Sequence, residues 1–323
     1  MRAVEITHAD KLLFPEDGIS KGELAEYYAA VAEVMLPHLS GRPLTMERYP
    51  AGIAQKGFIQ KNVVKGFPEW LQRIEVGKKA GSSHYPIVSD LASLLWITNQ
   101  NCVTPHVWPA RLPELTHPDL CVIDLDPSRE DRAELKAAAL AVRDLLGELG
   151  LNSWLKTSGS KGFHILVPLN GKASFDTVWH FAHALGAVLV QRHPQLLTQE
   201  FSKADRGDRI LVDTGRNGYG ATFAAAYAVR PKPGAPVSAP CTWKELEGDL
   251  VTPRSFSLRT MRQRIQEVGD LFFDLAKQPQ ELEAAHAALS ARLSEEDWQT
   301  ALAAATRRPG PRQRASSAKP RKK

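Results

Sequence analysis

Cysteine is scarce in this sequence: Cys102, Cys121 and Cys241 are the only three in 323 residues. Their odd number, wide separation and lack of a C-x-x-C pair exclude a disulfide framework and offer no zinc-ligand spacing, which points to a reducing cytoplasm. Long apolar runs are missing as well. No stretch approaches the roughly 18 residues of a membrane span, and the opening "MRAVEITHAD" has no apolar signal-peptide core. A soluble, unexported chain without a membrane partner is therefore expected. No internal repeat is found.

Acids are absent from the last 17 residues, "RRPGPRQRASSAKPRKK", which carry eight Lys or Arg. Removing those eight charges from the net +5 leaves the preceding 306 residues at −3, so the body is not basic. The tail, 307–323, is expected to be disordered by its Pro, Ser and Gly content. Holding phosphates by charge alone and serving as a solubilising extension both remain open for it.

What is present is an ordinary globular body. Its 43% apolar content can bury a substantial core. Ser20 with Glu23 predicts a capping box, followed by Leu24, Tyr27, Tyr28, Val31, Val34 and Met35 at helical spacing up to a break at Pro37. A second helix is expected from about Arg129 to Leu149, with Ser128 at its N-cap and Gly150 closing it, and a third over Phe175 to Gln191. Strand-like runs lie at Leu120–Leu125, Trp154–Lys156, Phe163–Val167 and Ile210–Asp213, and "RPKPGAPVSAP" is a loop. Much of Leu258–Thr306 reads as helical. Helices and strands alternate too irregularly for a doubly wound sheet, so the fold class is α+β.

Three segments carry chemistry. In "LCVIDLDPSREDRAEL", Leu120 to Leu135, period-two alternation puts Asp124 and Asp126 on one face with Val122, roughly 7 Å apart, while Cys121, Ile123 and Leu125 face the other way. Like charges so placed repel and raise a pKa unless a cation neutralises them, and hard oxygen ligands suit Mg²⁺ or Mn²⁺. A strand exit with an Asp-rich turn and helix cap fits the same residues. "KTSGSKGFHILVPL", Lys156 to Leu169, sets a Ser-Gly-Ser-Lys-Gly turn between two strands, either a plain hairpin or an anion nest reinforced by Lys161 and His164. It lacks P-loop spacing. "DRILVDTGRNGYGATFAAAYAVRPKPG" adds a third strand-terminal acid, Asp213, with Arg216 and Arg230 downstream. Together these features make a nucleoside triphosphate site with divalent metals plausible.

D-x-D, S-G-x-K-G-x-H and a third strand Asp, in this order, resemble the three motifs of the archaeo-eukaryotic primase superfamily. The phrases "DKLLFP", "SKGELAEYY", "GFIQKN", "YPIVSDLASLLWITNQN", "HVWPAR" and "RPKPGAPVSAPCTWKEL" are similar to the polymerase domain of bacterial DNA ligase D, over nearly all of residues 4 to 275. This resemblance implies a primase-like core of mixed β-sheets around an active-site cleft, flanked by helices. It implies one catalytic unit over 1–306, with an end-binding part at about 1–100, a core at about 101–275 and C-terminal helices at about 258–306. It also implies a template-directed nucleotidyltransferase that adds ribonucleotides, and less well deoxynucleotides, to a primer 3′ end in bacterial non-homologous end joining.

By the same resemblance Asp124, Asp126 and Asp213 hold two divalent ions, Mn²⁺ or Mg²⁺. Ser158, Lys161, His164, Arg216 and Arg230 contact the NTP or dNTP, and His106 in "HVWPAR" is a further active-site residue. Phe58 stacks on template, although a Phe after Gly also reads as core. Lys11 and Lys21 hold a downstream 5′-phosphate on gapped or double-stranded DNA ends, although lysines are commonly plain surface charges. The family position three before Lys11 is often Asn and here is His8, which donates to phosphate only in a pH-dependent way. Ku and a DNA ligase are implied partners, and the nucleoid the implied location. No ligase or nuclease segment follows in these residues, which leaves a stand-alone primase-polymerase and an excised domain both open. A metal-dependent phosphoesterase and a non-catalytic DNA-end-binding module are the rival readings.

Overall fold

The computed structural model describes residues 2–77 and 81–306, so the basic tail at 307–323 lies outside the described residues. The strand Leu120–Pro127 organises the molecule. Its Cys121, Ile123 and Leu125 enter one apolar cluster, whereas Leu120 and Val122 enter another. A strand buried on both faces belongs inside a sheet covered on both sides.

That sheet has six strands, in the order Leu197–Thr198, Ile210–Asp213, Leu120–Pro127, Phe163–Pro168, Trp154–Thr157 and Pro240–Cys241. The first pair is parallel and the rest antiparallel. Helices Arg132–Glu148, Phe175–Arg192 and Glu283–Ser290 pack on one face. The other face meets helix Lys21–Leu39 and residues of a second sheet, ordered Phe223–Ala224, Cys102–Val107, Leu44–Arg48 and Phe58–Gln60. The class is α+β; the six-stranded sheet is mixed, whereas the second sheet, expected to be mixed as well, is antiparallel throughout. Among the described residues no helix is long and apolar enough to cross a membrane.

Helix ends differ from expectation for local reasons. The Ser20 hydroxyl accepts from the Glu23 N–H at 3.1 Å, but the Glu23 carboxylate pairs with Arg259 at 2.8 Å instead of reaching back, so only half of the capping box forms. The helix does not stop at Pro37 but runs to Leu39. A proline in the last turn removes one backbone bond without a following helix to kink, and the Ser40 N–H donates to the Leu36 carbonyl to close the end. The second helix begins at Arg132, not Arg129, because its N-cap is Asp131, whose carboxylate accepts from the Glu134 N–H at 3.0 Å. Ser128 is diverted: its hydroxyl donates to the Arg209 carbonyl. Gly150, at φ +74°, ends this helix as expected.

Candidate active site

Strand register builds the site. Across the six-stranded sheet, Asp213 lies opposite Asp124, Asp124 opposite His164, and His164 opposite Lys156, so four polar residues form one cross-strand row in the sheet interior. Directly opposed residues share a face. Asp126 stands two positions along on that same face. A cavity of about 200 Å³ opens over the row. Its lining unites Asp124, Asp126, Asp213, Ser158, Lys161, His164, Arg216, Arg230 and His106, nine of the residues that the sequence singles out. His106 comes from the second sheet, where it pairs with Ala224.

The Ser158–Gly162 turn joins the two strands of a hairpin. Of the two readings left open for this turn, plain hairpin and anion nest, the hairpin forms, and the Ser160 and Gly162 N–H groups both donate to the Ser158 Oγ at 3.1 Å. Two donors are thus satisfied internally, and the cationic partners become Lys161, which is exposed, and Arg230. Arg230 crosses the turn and donates from Nη1 to the Ser158 carbonyl at 2.8 Å. Gly159, at φ +64°, makes room for it, since a Cβ there would lie 2.6 Å from the Arg230 Cγ.

The acids are arranged differently from an open three-carboxylate cluster. Arg216, expected against phosphates, bridges Asp124 at 3.2 Å and Asp213 at 3.4 Å, and Asp126 turns to Arg206 at 3.3 Å. Among the described residues no group of three or more His, Cys, Asp and Glu is assembled to hold a metal ion. The donor set still fits a hard divalent cation. Burial pushes the Asp124 carboxyl up to about 6, Arg216 opposing and the charges of Asp213 and Asp126 adding to the rise. Asp124 and Asp213 share the single guanidinium of Arg216, and an oxygen-ligated cation would add positive charge beside them.

The His164–Lys156 end of the row is buried. Burial, then the charges of Lys156, Arg230 and Arg216, drives His164 well below the usual imidazole range, so its ring is neutral beside Asp124 Oδ1 at 3.4 Å. Its Nδ1 is buried without a partner among the described residues. Lys156 is fully buried, and burial also drives its amine well below the usual lysine value. It donates to the Ala224 carbonyl at 3.0 Å and to the Ser238 hydroxyl. Sequence reasoning missed Lys156, though alternation in "WLKTS" puts it on the face of Ser158, where a lone charge in an apolar strand was the signal. Glu47 and Arg206 were missed too.

The remaining expected residues lie outside this cavity. The Lys11 amine contacts the Pro50 carbonyl, and Lys21, a residue 3% exposed, donates from its amine to the Thr7 carbonyl at 2.6 Å. Burial and then the charge of Lys11 lower the Lys21 amine, so the two cations sense each other. His8 is exposed at φ +48°, and its carbonyl accepts from the Lys11 N–H at 3.1 Å. Phe58 is not core: it is 47% exposed on an edge strand beside Ile59, with the Arg48 guanidinium 5.3 Å from its ring centroid.

Comparison with known proteins bears on the family and the fold. The family described as "LigD, primase-polymerase domain" matches residues 20–272. The multifunctional non-homologous end joining DNA repair protein LigD of Mycobacterium tuberculosis is 37% identical over 277 residues, covering 83% of this chain and 36% of that protein. The bifunctional LigD of Bacillus subtilis is 31% identical over 280 residues, covering 86% and 45%. The chain thus spans between a third and a half of the length of these relatives. The solved polymerase domain of M. tuberculosis ligase D, in complex with DNA, superposes with a TM-score of 0.81 at 35% identity, over 87% of this chain and all of that one. On sequence and fold alike, the chain belongs to the LigD primase-polymerase domain family.

Proposed function

We propose that this chain is a template-directed nucleotidyltransferase that adds ribonucleotides, and less efficiently deoxynucleotides, to a DNA primer 3′ end and fills short gaps during bacterial end joining. The observation that carries the reading is the cross-strand row Asp213–Asp124–His164–Lys156 under a cavity that also holds Ser158, Lys161 and Arg230. Acids on one side and cations on the other suit a triphosphate whose α-phosphorus faces the carboxylates.

Asp124, Asp126 and Asp213 would hold the divalent ions, Mn²⁺ or Mg²⁺, which when bound neutralise phosphate charge and activate the primer hydroxyl. The chain's own groups bind and orient. Lys161 and Arg230 supply positive charge to the phosphates, and the Ser158 hydroxyl keeps a proton to donate while its lone pairs accept from the turn. Neutral His164 offers hydrogen bonding without repelling the nearby arginines. Arg216 is the residue that must yield, because it occupies the space between Asp124 and Asp213.

Lys11 and Lys21, with His8 alongside, would hold a downstream 5′-phosphate, since two mutually repelling cations favour a dianion over a 5′-hydroxyl. Exposed Phe58 would stack on a template base. Gapped or double-stranded DNA ends are the substrate class, and Ku and a DNA ligase the partners of such an activity. The test is incorporation of labelled ribo- and deoxynucleotides into a primed gap, with Mn²⁺ and with Mg²⁺. Preferential single ribonucleotide addition, stronger with Mn²⁺, is expected. Equal use of the two sugars overturns the preference, and no incorporation overturns the enzyme.

A further inference from the structure

We propose that Glu47 is a positioning residue that fixes the ring of His106 at the cavity wall, and that Tyr49 fixes Glu47 in turn. The inference rests on the polymerase reading for its consequence, not for its geometry. Glu47 and His106 sit on adjacent antiparallel strands, Glu47 opposite Thr104 and His106 opposite Thr45, which makes them diagonal neighbours. The His106 Nε2 lies 2.9 Å from Glu47 Oε2, and the Tyr49 hydroxyl donates to Glu47 Oε1 at 2.9 Å. Both carboxylate oxygens are therefore engaged, in a pocket where each partner of the His–Glu pair is only 17% exposed. Tyr49 is seated by the absence of a side chain at Gly57, where a Cβ would fall 2.5 Å from the tyrosine ring.

Charge decides the direction of the hydrogen bond. Burial pushes the Glu47 carboxyl up, but the hydrogen bond and charge of His106, with Arg230 and Tyr49, leave it below the usual carboxylate value, so it is an acceptor. Tyr49 is pushed up to about 12 by burial and by Glu47, so it is a donor. The His106 Nε2 must then carry the proton. In the neutral ring the other nitrogen, Nδ1, is left with a lone pair as the one group available to a ligand. Lys161, Arg216 and Arg230 line this cavity together with the three carboxylates, so His106 would supply an uncharged acceptor there. The other tautomer would present a donor there in place of that acceptor.

The experiment pairs ring nitrogen NMR of ¹⁵N-histidine-labelled, metal-free protein with primer-extension kinetics, for wild type, Glu47→Gln, Glu47→Ala and Tyr49→Phe. Wild type should show His106 protonated on Nε2. Glu47→Gln keeps an acceptor and should retain that tautomer with kcat within about threefold. Glu47→Ala should mix the tautomers and lower kcat about 10–100-fold with little change in nucleotide KM, the range typical of lost supporting hydrogen bonds. Tyr49→Phe, which preserves volume, should give a smaller shift of the same kind and serves if Glu47→Ala does not fold. A wild-type ring protonated on Nδ1, or folded Glu47→Ala and Tyr49→Phe proteins that both keep the wild-type spectrum and kcat, overturns the proposal. A wild-type protein that extends no primer counts against the polymerase reading alone, because the ring spectra still decide the pairing.

Discussion

Gly162 is where fold and chemistry meet most tightly. It precedes the strand Phe163–Pro168 and presses against Leu125, the residue between Asp124 and Asp126. A Cβ at position 162 would lie 1.6 Å from the Leu125 carbonyl oxygen and 2.8 Å from its carbonyl carbon. Restoring even the 3.0 Å below which real Cβ contacts essentially do not occur requires a displacement of about 1.4 Å between two strands of one sheet. Backbone cannot rotate away as a side-chain tip can, and close-packed interiors pass such strain on. Gly162→Ala should therefore cost about 1–3 kcal/mol of stability or more, the range of overpacking in a closed core. It should lower kcat by about 100-fold, the effect of an ångström-scale misplacement of reacting groups. Gly147→Ala is the control, since that glycine lies in the helix Arg132–Glu148 with nothing within 4 Å of the added carbon, and should be neutral or stabilising by up to about 1 kcal/mol. Urea denaturation with primer extension on both variants decides the matter. A Gly162→Ala protein with wild-type stability and extension would refute the claim that this contact holds the acids in place.

Asp124→Asn should abolish extension yet stabilise the metal-free protein at pH 7 by about 1–3 kcal/mol. The Asp124 carboxyl is raised from 3.8 to about 6, so the folded state keeps a proton that the unfolded chain has lost between those values. Stability conferred by that proton is present below the lower value and is lost as pH rises through the upper one; the advantage of Asn over Asp should vanish in urea melts near pH 3.5 and grow towards pH 7. Lys11→Ala should erase the preference for a 5′-phosphorylated gap while leaving simple primer-template extension within about twofold, read by competition between the two substrates; Lys21 is the poorer choice because its side chain is buried. Phe58→Ala should change stability by less than about 0.5 kcal/mol but weaken template binding by about 1–3 kcal/mol in an anisotropy titration, the worth of one stacked base.

Much of this architecture was legible because period-two alternation is a strong signal in apolar strands. It placed Asp124 and Asp126 on the face of Val122, and register then set Asp213 and His164 beside Asp124. What could not be read was pairing between distant segments. Nothing in "TMERYP" says that Glu47 will meet His106, 59 residues away, and nothing near "SKADRG" says that Arg206 will reach Asp126. Side-chain competition was equally hidden: Asp131 displaced Ser128 as a cap, and the Ser158 hydroxyl captured the N–H groups that a nest would have offered to phosphate. Lys156 went unnoticed because a buried lysine is rare and its neighbours look like an ordinary strand end.

The central claim is that the Asp213–Asp124–His164 row performs nucleotidyl transfer. Single-turnover extension of a primer across a short 5′-phosphorylated gap, with a labelled ribonucleotide and Mn²⁺, by wild type and by Asp213→Ala tests it most directly. The account predicts one-nucleotide extension by wild type and at least a thousandfold loss in the folded variant, with DNA binding retained, a loss on the order of that seen when the core of a catalytic constellation is removed. Undiminished extension by Asp213→Ala would contradict it.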